Sequence, residues 1–186
     1  MGWYEEFPAV SFNMIKSTGA GVNASIIDVG GGLSNLVDNL ILSGYKRITV
    51  LDIASPAIEK AKERLGDRAG AVRWIEADIT EAMLPEDYDV WHDRAVFHFL
   101  TDVGHRKKYI NAAKQSLRVG GHLIIATFSL DGPPTCSGLE VVRYSPETLA
   151  DEFGVDFDLI LSYTVDHITP SKVPQKFIFC RFKRVR

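Results

Sequence analysis

Residues 28–34 read Asp-Val-Gly-Gly-Gly-Leu-Ser, a glycine-rich segment that begins with a carboxylate. An Ile- and Val-rich run precedes it and an amphipathic stretch follows, so we expect the chain to turn here from a strand into a helix. Glycine has no Cβ, which permits a sharp turn and the close approach of a ligand. A dinucleotide fingerprint would have glycine where this chain has Asn35, and a carboxylate is unfavourable beside pyrophosphate. Asp28 suits a cationic ligand better.

Two more acids follow the next predicted strands. Asp52 ends the run that begins at Arg47, and Asp78 comes shortly after the strand 72–76. The carboxyl ends of parallel strands lie at one edge of a sheet, where such folds bind ligands. Each acid has a simpler interpretation as well, Asp52 as a cap before the next helix and Asp78 as a cap within a turn. A dehydrogenase would also carry an acid at position 52.

Short apolar runs alternate with amphipathic stretches, which predicts a parallel sheet with helices on both faces. Strands are predicted at 24–29, 47–51, 72–76, 88–91 and 122–128, and helices at 33–43, 55–65, 102–118 and 145–153. The last strands, 157–167 and 175–185, have no helix between them and should pair antiparallel. The predicted fold class is α/β, a doubly wound Rossmann-like sheet of seven strands with a C-terminal antiparallel hairpin. Residues 1–186 fit a single domain.

With these elements in place, the chain resembles the class I S-adenosylmethionine-dependent methyltransferases. Their first motif, acidic-x-Gly-x-Gly, matches Asp28, Gly30 and Gly32, although Ser34 stands where many members have a third glycine. The terminal antiparallel hairpin is the family's seventh-strand signature. The resemblance extends over roughly residues 3–182.

The resemblance implies S-adenosylmethionine as the cofactor and S-adenosylhomocysteine as the product. In the family, the first acid lies near the amino acid end of the cofactor and the glycines lie under its ribose. The acid at position 52 binds the ribose hydroxyls, and the acid at position 78 meets the adenine amino group. The implied cofactor-binding residues are Asp28, Gly30, Gly31, Gly32, Asp52, Ile53, Asp78, Ile79 and Tyr4. Residues 1–20 resemble a short form of the N-terminal helix segment that serves as a lid.

The segment after the fourth strand should contact the methyl acceptor. It reads WHDRAVFHFLT over 91–101 and resembles a small bacterial group of methyltransferases. It lacks the Asn/Asp-Pro-Pro-Tyr motif of enzymes that methylate nucleobases, the glutamate pair of arginine methyltransferases and the Asp-Asn pair of metal-dependent enzymes. Two cysteines are too few for arsenite methylation, and we predict no metal site.

Asp93 and His92 are the predicted catalytic residues. Asp93 should lie where the chain leaves the buried strand and enters the site. The resemblance to lysine methyltransferases implies an acid at this position that holds the amine. Its alternative role is an ion pair with Arg94 or Arg106. Methyl transfer is an in-line displacement that needs a base only when the acceptor begins protonated. His92 has an unperturbed pKa of about 6.5 and suits that role, unless the backbone satisfies its ring.

Three further residues are candidate substrate contacts. His98 lies between two phenylalanines in a predicted helical turn, and a buried polar role is the alternative. Cys136 lies in the loop after the fifth predicted strand, a usual place for substrate contacts. The alternative is an inert thiol, which is the more common role of a loop cysteine. Arg143 could bind an acceptor carboxylate through two hydrogen bonds, or pair with Glu140 or Glu147.

Composition narrows the possible partners. The formal net charge is -3, so nothing draws the whole chain toward nucleic acid or anionic membranes. No signal peptide is evident, and no apolar run approaches the ~18 residues of a membrane span. We therefore expect a cytoplasmic methyltransferase of a small-molecule acceptor, acting by in-line displacement. A protein lysine methyltransferase, a protein that binds S-adenosylmethionine without turnover, and a nicotinamide-binding module are the alternatives.

Overall fold

The computed structural model describes residues 5–85, 88–169 and 173–186. The α-helices are α1 (Ala9–Ser17), α2 (Leu36–Leu42), α3 (Ser55–Leu65), α4 (Val103–Ser116) and α5 (Pro146–Phe153). The strands are β1 (Ser25–Val29), β2 (Arg47–Asp52), β3 (Val72–Glu76), β4 (Tyr88–Arg94), β5 (Leu117–Phe128), β6 (Thr135–Cys136), β7 (Leu139–Glu140), β8 (Phe157–Ile168) and β9 (Pro174–Arg184). Within these ranges no helix is long and apolar enough to cross a membrane.

Seven strands form one sheet in the order β3-β2-β1-β4-β5-β9-β8, and β6 pairs separately with β7. β1 is parallel to β2 and β4, β2 is parallel to β3, and β4 is parallel to β5. β9 is antiparallel to both of its neighbours, β5 and β8. Six strands therefore run in one direction and β9 in the other. The predicted seven-stranded doubly wound sheet with its C-terminal antiparallel hairpin is confirmed.

Two hydrophobic cores lie on opposite faces of this sheet. On the α1 side, strand residues such as Ile26 and Val90 pack with apolar residues of α1 and α2. On the α4 side, Ile27 and Trp91 pack with residues of α4 and α5. Side chains alternate along a strand, so neighbouring residues belong to opposite sides. The helices thus cover both faces, as the alternating pattern predicts.

Strand β4 continues to Arg94, beyond the predicted end at residue 91. It still pairs with β1 at Asp93 and with β5 at Arg94. The chain then turns at Ala95, which has a φ of 68°, and enters a short 3₁₀ segment at Phe97–Phe99. His92 and Asp93 are therefore strand residues with opposite side-chain directions, and the prediction of a strand end at residue 91 is wrong.

Helix ends agree with the sequence pattern in part. The helix predicted over 102–118 is α4, which ends at Ser116, and β5 follows at once, so the predicted strand start at residue 122 is wrong. The helix predicted over 55–65 is α3, which begins at Ser55 with Ala54 in the cap position. The start of α5 is as expected: the Ser145 hydroxyl accepts a hydrogen bond from the N–H of Thr148 in a capping box.

Candidate active site

Gly30 makes the turn that follows β1. Its φ is +70°, a left-handed conformation that residues with a Cβ rarely adopt. Its N–H donates to the carbonyl oxygen of Leu51 at 2.7 Å, which fixes the loop to the end of β2. A Cβ on Gly30 would overlap the Cγ2 atom of Val96. Backbone conformation and packing therefore both require glycine here.

The next two glycines make room for carboxylates of the chain itself. A Cβ on Gly31 would overlap Oδ2 of Asp28, and a Cβ on Gly32 would lie 2.7 Å from Oδ2 of Asp52. The sequence suggests that the missing Cβ atoms admit a ligand. The structure adds a nearer reason, since the glycines let Asp28 and Asp52 approach the loop that they support.

Asp52 lies at the end of β2 and holds the backbone on both sides of it. Its Oδ2 accepts a hydrogen bond from the N–H of Gly32 at 3.0 Å, and its Oδ1 accepts one from Ala54 at 2.8 Å. A carboxylate has about four acceptor positions, so these two bonds leave capacity for further donors. Asp52 also lines the cavity described below, where hydroxyl groups of a ligand would reach it.

Asp28 and His92 form a buried pair on neighbouring strands. They are register partners of β1 and β4, and Oδ1 of Asp28 lies 2.7 Å from Nδ1 of His92. Both side chains are almost fully inaccessible. Among the described residues, Oδ2 of Asp28 and Nε2 of His92 have no hydrogen-bond partner. His92, predicted as catalytic, thus positions the carboxylate of the glycine loop, and its catalytic role stays a prediction.

A cavity of about 380 Å³ opens at the carboxyl ends of β1, β2, β3 and β4. Its wall includes five of the predicted cofactor-binding residues, the last residue of β4 and apolar residues of the segment after β4. These are Gly30, Asp52, Ile53, Asp78 and Ile79, with Arg94, Ala95, Val96, Phe99 and Leu100. Ile79 is buried and Ile53 is exposed. The fold therefore brings five predicted residues from three separate strand ends into one cavity wall.

Asp78 also closes its own turn. Its Oδ1 accepts hydrogen bonds from both the N–H and the hydroxyl of Thr80, each at 2.8 Å. These contacts agree with the interpretation of Asp78 as a cap within its turn. Its place on the cavity wall leaves the predicted contact with adenine as a proposal.

Asp93 lies inside the protein on the α4 side of the sheet, and its side chain is fully buried. Its carboxylate accepts hydrogen bonds from the N–H groups of Val96 and Phe97 and from the hydroxyl of Tyr109, at 2.9, 3.1 and 2.6 Å. Burial raises the pKa of Asp93 to about 6, although these donors lower it. The carboxylate supports the turn after β4, and nothing in these contacts directs it toward an acceptor.

His98 is packed between aromatic rings instead of facing the cavity. Its ring centroid lies 4.6 Å from that of Phe99 and 4.9 Å from that of Phe128. Neither ring nitrogen has a hydrogen-bond partner within the described part of the chain. Burial lowers the pKa of His98 to about 3, so the ring is neutral at physiological pH.

The other substrate candidates lie in the loop after β5. Cys136 is buried in the apolar core of the α1 side, and burial raises the pKa of its thiol, which lowers its reactivity. Arg143 is exposed and donates to the carbonyl oxygens of Leu130 and Gly132 at 2.9 and 3.1 Å. Both residues have structural roles there, and substrate contact stays a prediction. Tyr4, a predicted cofactor contact, lies outside the described residues.

The residue that sequence reasoning missed is Arg94, the last residue of β4. It lines the cavity, its side chain is only 8% exposed, and its Nη1 donates to Oε2 of Glu5 at 3.0 Å. Burial lowers the pKa of Arg94, whereas the charges of Glu5 and Asp28 raise it. The signal was present, since an arginine two residues after His92 on the same strand must share its side of the sheet. No group of three His, Cys, Asp or Glu residues in the described ranges could hold a metal ion.

Comparisons with known proteins agree with this geometry. The model of a family described as a methyltransferase domain matches residues 27–123, more than half of the chain. A malonyl-[acyl-carrier protein] O-methyltransferase of Anoxybacillus flavithermus is 38% identical over 56% of this chain and 39% of its own length. The enzyme of the same name from Acetivibrio thermocellus is 28% identical over 76% of this chain and 57% of its own. The chain thus spans 39% and 57% of the lengths of these relatives.

A solved structure supports the fold. The 1,6-didemethyltoxoflavin-N1-methyltransferase of Burkholderia thailandensis, solved with S-adenosylhomocysteine bound, superposes with a TM-score of 0.77. The match covers 96% of this chain and 78% of the other at 18% identity. The likeness is one of architecture, and at this identity it does not extend to the acceptor.

Proposed function

The chain belongs to the methyltransferase domain family, and on that premise we propose that it transfers a methyl group from S-adenosylmethionine to a small-molecule acceptor. S-adenosylmethionine is the cofactor that the family match and the related enzymes support. The observation that carries the proposal is the cavity at the strand ends, with Asp28 and Asp52 drawn up to the glycine loop beside it.

The residues at this cavity fit the cofactor. Asp28 keeps one buried carboxylate oxygen with no hydrogen-bond partner among residues 5–85, 88–169 and 173–186, beside a loop that has no room for a Cβ. A carboxylate in that position favours a cationic amino group. Asp52 keeps acceptor capacity for ribose hydroxyls, and Ile79 offers an apolar surface for a ring.

When bound, S-adenosylmethionine supplies an electrophilic methyl group on a sulfonium. The chain's contribution is to hold the reactants in line and to exclude water. Phe99 and Leu100 line the cavity together with Val96, so the segment after β4 gives its wall an apolar part. Asp28, positioned by His92, lies against Gly31 of the glycine loop. Among the residues of β4 that line the cavity, Arg94 is the charged one.

Small molecules are the favoured acceptors for two reasons. Two of the four curated relatives carry the name malonyl-[acyl-carrier protein] O-methyltransferase, and malonyl is a small acyl group. In addition, the lysine alternative depends on Asp93 meeting an amine, and that carboxylate is buried and occupied by three donors. The geometry therefore gives the lysine reaction no acidic residue at the position from which it was inferred.

The test begins with calorimetric titration of the purified chain with S-adenosylhomocysteine, and with NADH as the control. We expect micromolar binding of the former and none of the latter. Methyl transfer from tritiated S-adenosylmethionine is then measured with pools of small acids, thiols and amines, and with denatured protein lysate as the lysine arm. Counts in the protein fraction alone would replace the proposal with a protein substrate. Binding without transfer to any pool would identify a protein that binds the cofactor without turnover.

A further inference from the structure

The carboxylate of Glu5 is held by two side chains that come from distant parts of the fold. Nη1 of Arg94 donates to Oε2 at 3.0 Å, and Nδ1 of His167 lies 3.1 Å from Oε1. Arg94 ends β4, and His167 lies near the end of β8. Each oxygen of one carboxylate thus has its own nitrogen donor, a geometry that recognises a carboxylate as a group.

The two holders are much more buried than the group they hold. The side chains of Arg94 and His167 are 8% and 10% exposed, whereas that of Glu5 is 32% exposed. Apolar residues surround the donors, namely Val10, Val165, Phe177 and Phe179. A buried cation is costly without anionic partners, and the carboxylate of Glu5 supplies one such charge at this site, in addition to that of Asp28. The two donors belong to strands of the sheet, and the carboxylate that they hold belongs to Glu5, which precedes α1.

Arg94 connects this site with the cofactor cavity. It lines the cavity of about 380 Å³ together with Gly30 and Asp52, and it also lines the small pocket that contains Glu5 and His167. A molecule in the cavity therefore lies beside the residue whose guanidinium Glu5 now neutralises. An arginine presents five N–H donors, so it can serve the two neighbouring spaces in turn.

We propose that Arg94 and His167 form the binding subsite for a carboxylate of the methyl acceptor, and that Glu5 occupies it as an internal stand-in until an acidic acceptor displaces it. This inference rests on the proposed function, because it names the acceptor's chemical class. An acceptor carboxylate takes over the hydrogen bonds of Glu5, so the buried cation keeps an anionic partner throughout. The side chain of Glu5 then leaves Arg94 and His167 when the acceptor binds.

The experiment uses succinate as the probe and its neutral diamide, succinamide, as the control. Amide NMR spectra of the labelled chain are recorded during titration, with and without saturating S-adenosylhomocysteine. Glu5→Gln removes the stand-in carboxylate and should tighten succinate binding about tenfold, because an intramolecular competitor acts at a millimolar effective concentration. Glu6→Gln removes the same charge one residue later, from an exposed side chain, and should leave the affinity unchanged.

Adding Arg94→Met to Glu5→Gln should abolish the succinate-induced shifts, and His167→Leu in that background should weaken binding severalfold. If Arg94→Met does not fold, as judged by its thermal unfolding, Arg94→Lys in the same background replaces it. Lysine keeps the charge but lacks the planar fork, so weaker binding is still expected. Succinamide should cause no shifts in any variant.

Three results would overturn the inference: equal succinate affinity in the two glutamine variants, binding that survives loss of Arg94, or equal binding of succinamide. The proposed function is scored separately by the affinity for S-adenosylhomocysteine. Loss of that binding with retained succinate binding leaves the subsite standing without the methyltransferase. Retained cofactor binding without a succinate effect refutes the subsite alone.

Discussion

The two sides of β4 use ionisable side chains in opposite ways. On the α1 side, Arg94 faces the cavity, and His92 holds the carboxylate beneath the glycine loop. On the α4 side, Asp93 lies one position away from each of them and meets only donors of the protein, including the hydroxyl of Tyr109. Both sides are buried, so burial does not separate a binding group from a structural one. What separates them is that Asp28 and His92 each keep a polar atom without a hydrogen-bond partner among the described residues, whereas both oxygens of Asp93 have donors from the protein.

Substitution of Asp93, on the α4 side, should cause the largest loss of stability. Asp93→Ala leaves the N–H groups of Val96 and Phe97 and the hydroxyl of Tyr109 without their acceptor inside the core. Each buried unsatisfied group costs about 1–3 kcal/mol, so the free energy of unfolding should fall by about 4 kcal/mol. Urea denaturation measures it, and the affinity of the folded fraction for S-adenosylhomocysteine should stay unchanged.

Asp93→Asn is the matched variant, because it keeps the shape and one acceptor oxygen. It should lose less stability than the alanine variant. If either variant is as stable as the wild type but has lost methyl transfer, Asp93 acts on the acceptor, and the distinction between the two sides of β4 fails.

Asp52 tests the binding side. Asp52→Ala removes the carboxylate that lines the cavity and should weaken binding of S-adenosylhomocysteine by about 2 kcal/mol, the loss expected for charge-assisted hydrogen bonds. Calorimetry measures it, with Asp67→Ala at an exposed position after α3 as the control. The free energy of unfolding should change by less than in Asp93→Ala. Unchanged affinity would remove Asp52 from the cofactor site.

The sequence predicts the fold well because its signals are local. Apolar runs, glycine and capping residues mark the strands and helices within a few positions of each boundary. The end of β4 carries no such mark. The chain turns at Ala95 with a φ of 68°, a conformation usually given to glycine or asparagine, so no typical turn residue marks the true end of the strand. The error of a few residues placed Asp93 in a loop and directed attention away from Arg94.

The partners that decide the site are also remote in the sequence. Asp93 meets a hydroxyl 16 positions later on α4, and Arg94 meets a carboxylate 89 positions earlier. No periodicity or spacing links such pairs, because only the three-dimensional packing brings them together. The cavity wall was predictable from the acids at the strand ends, whereas the distinction between ligand-facing and structural groups required the structure.

The smallest expected effect is on the pH dependence of stability, and it comes from His98. It tests whether the segment after β4 excludes water from this ring. Burial lowers its pKa from 6.5 to about 3, so below pH 6.5 the unfolded chain binds a proton that the folded chain excludes. Stability must then fall as the pH falls, by about 1.4 kcal/mol per pH unit well below 6.5. Between pH 7 and pH 5.5 this amounts to about 1.3 kcal/mol.

His98→Leu should remove that share of the pH dependence, because leucine has no proton to gain. Asp93 has the opposite sign: its raised pKa of about 6 makes the folded state lose stability as the pH rises from about 4 to 6. Both chains contain Asp93, so its contribution cancels when the difference between wild type and variant is followed by urea denaturation across the pH range. A constant difference would mean that His98 takes up a proton in the folded state, and the ring would then have to reach water or a ligand through the cavity wall formed by Phe99.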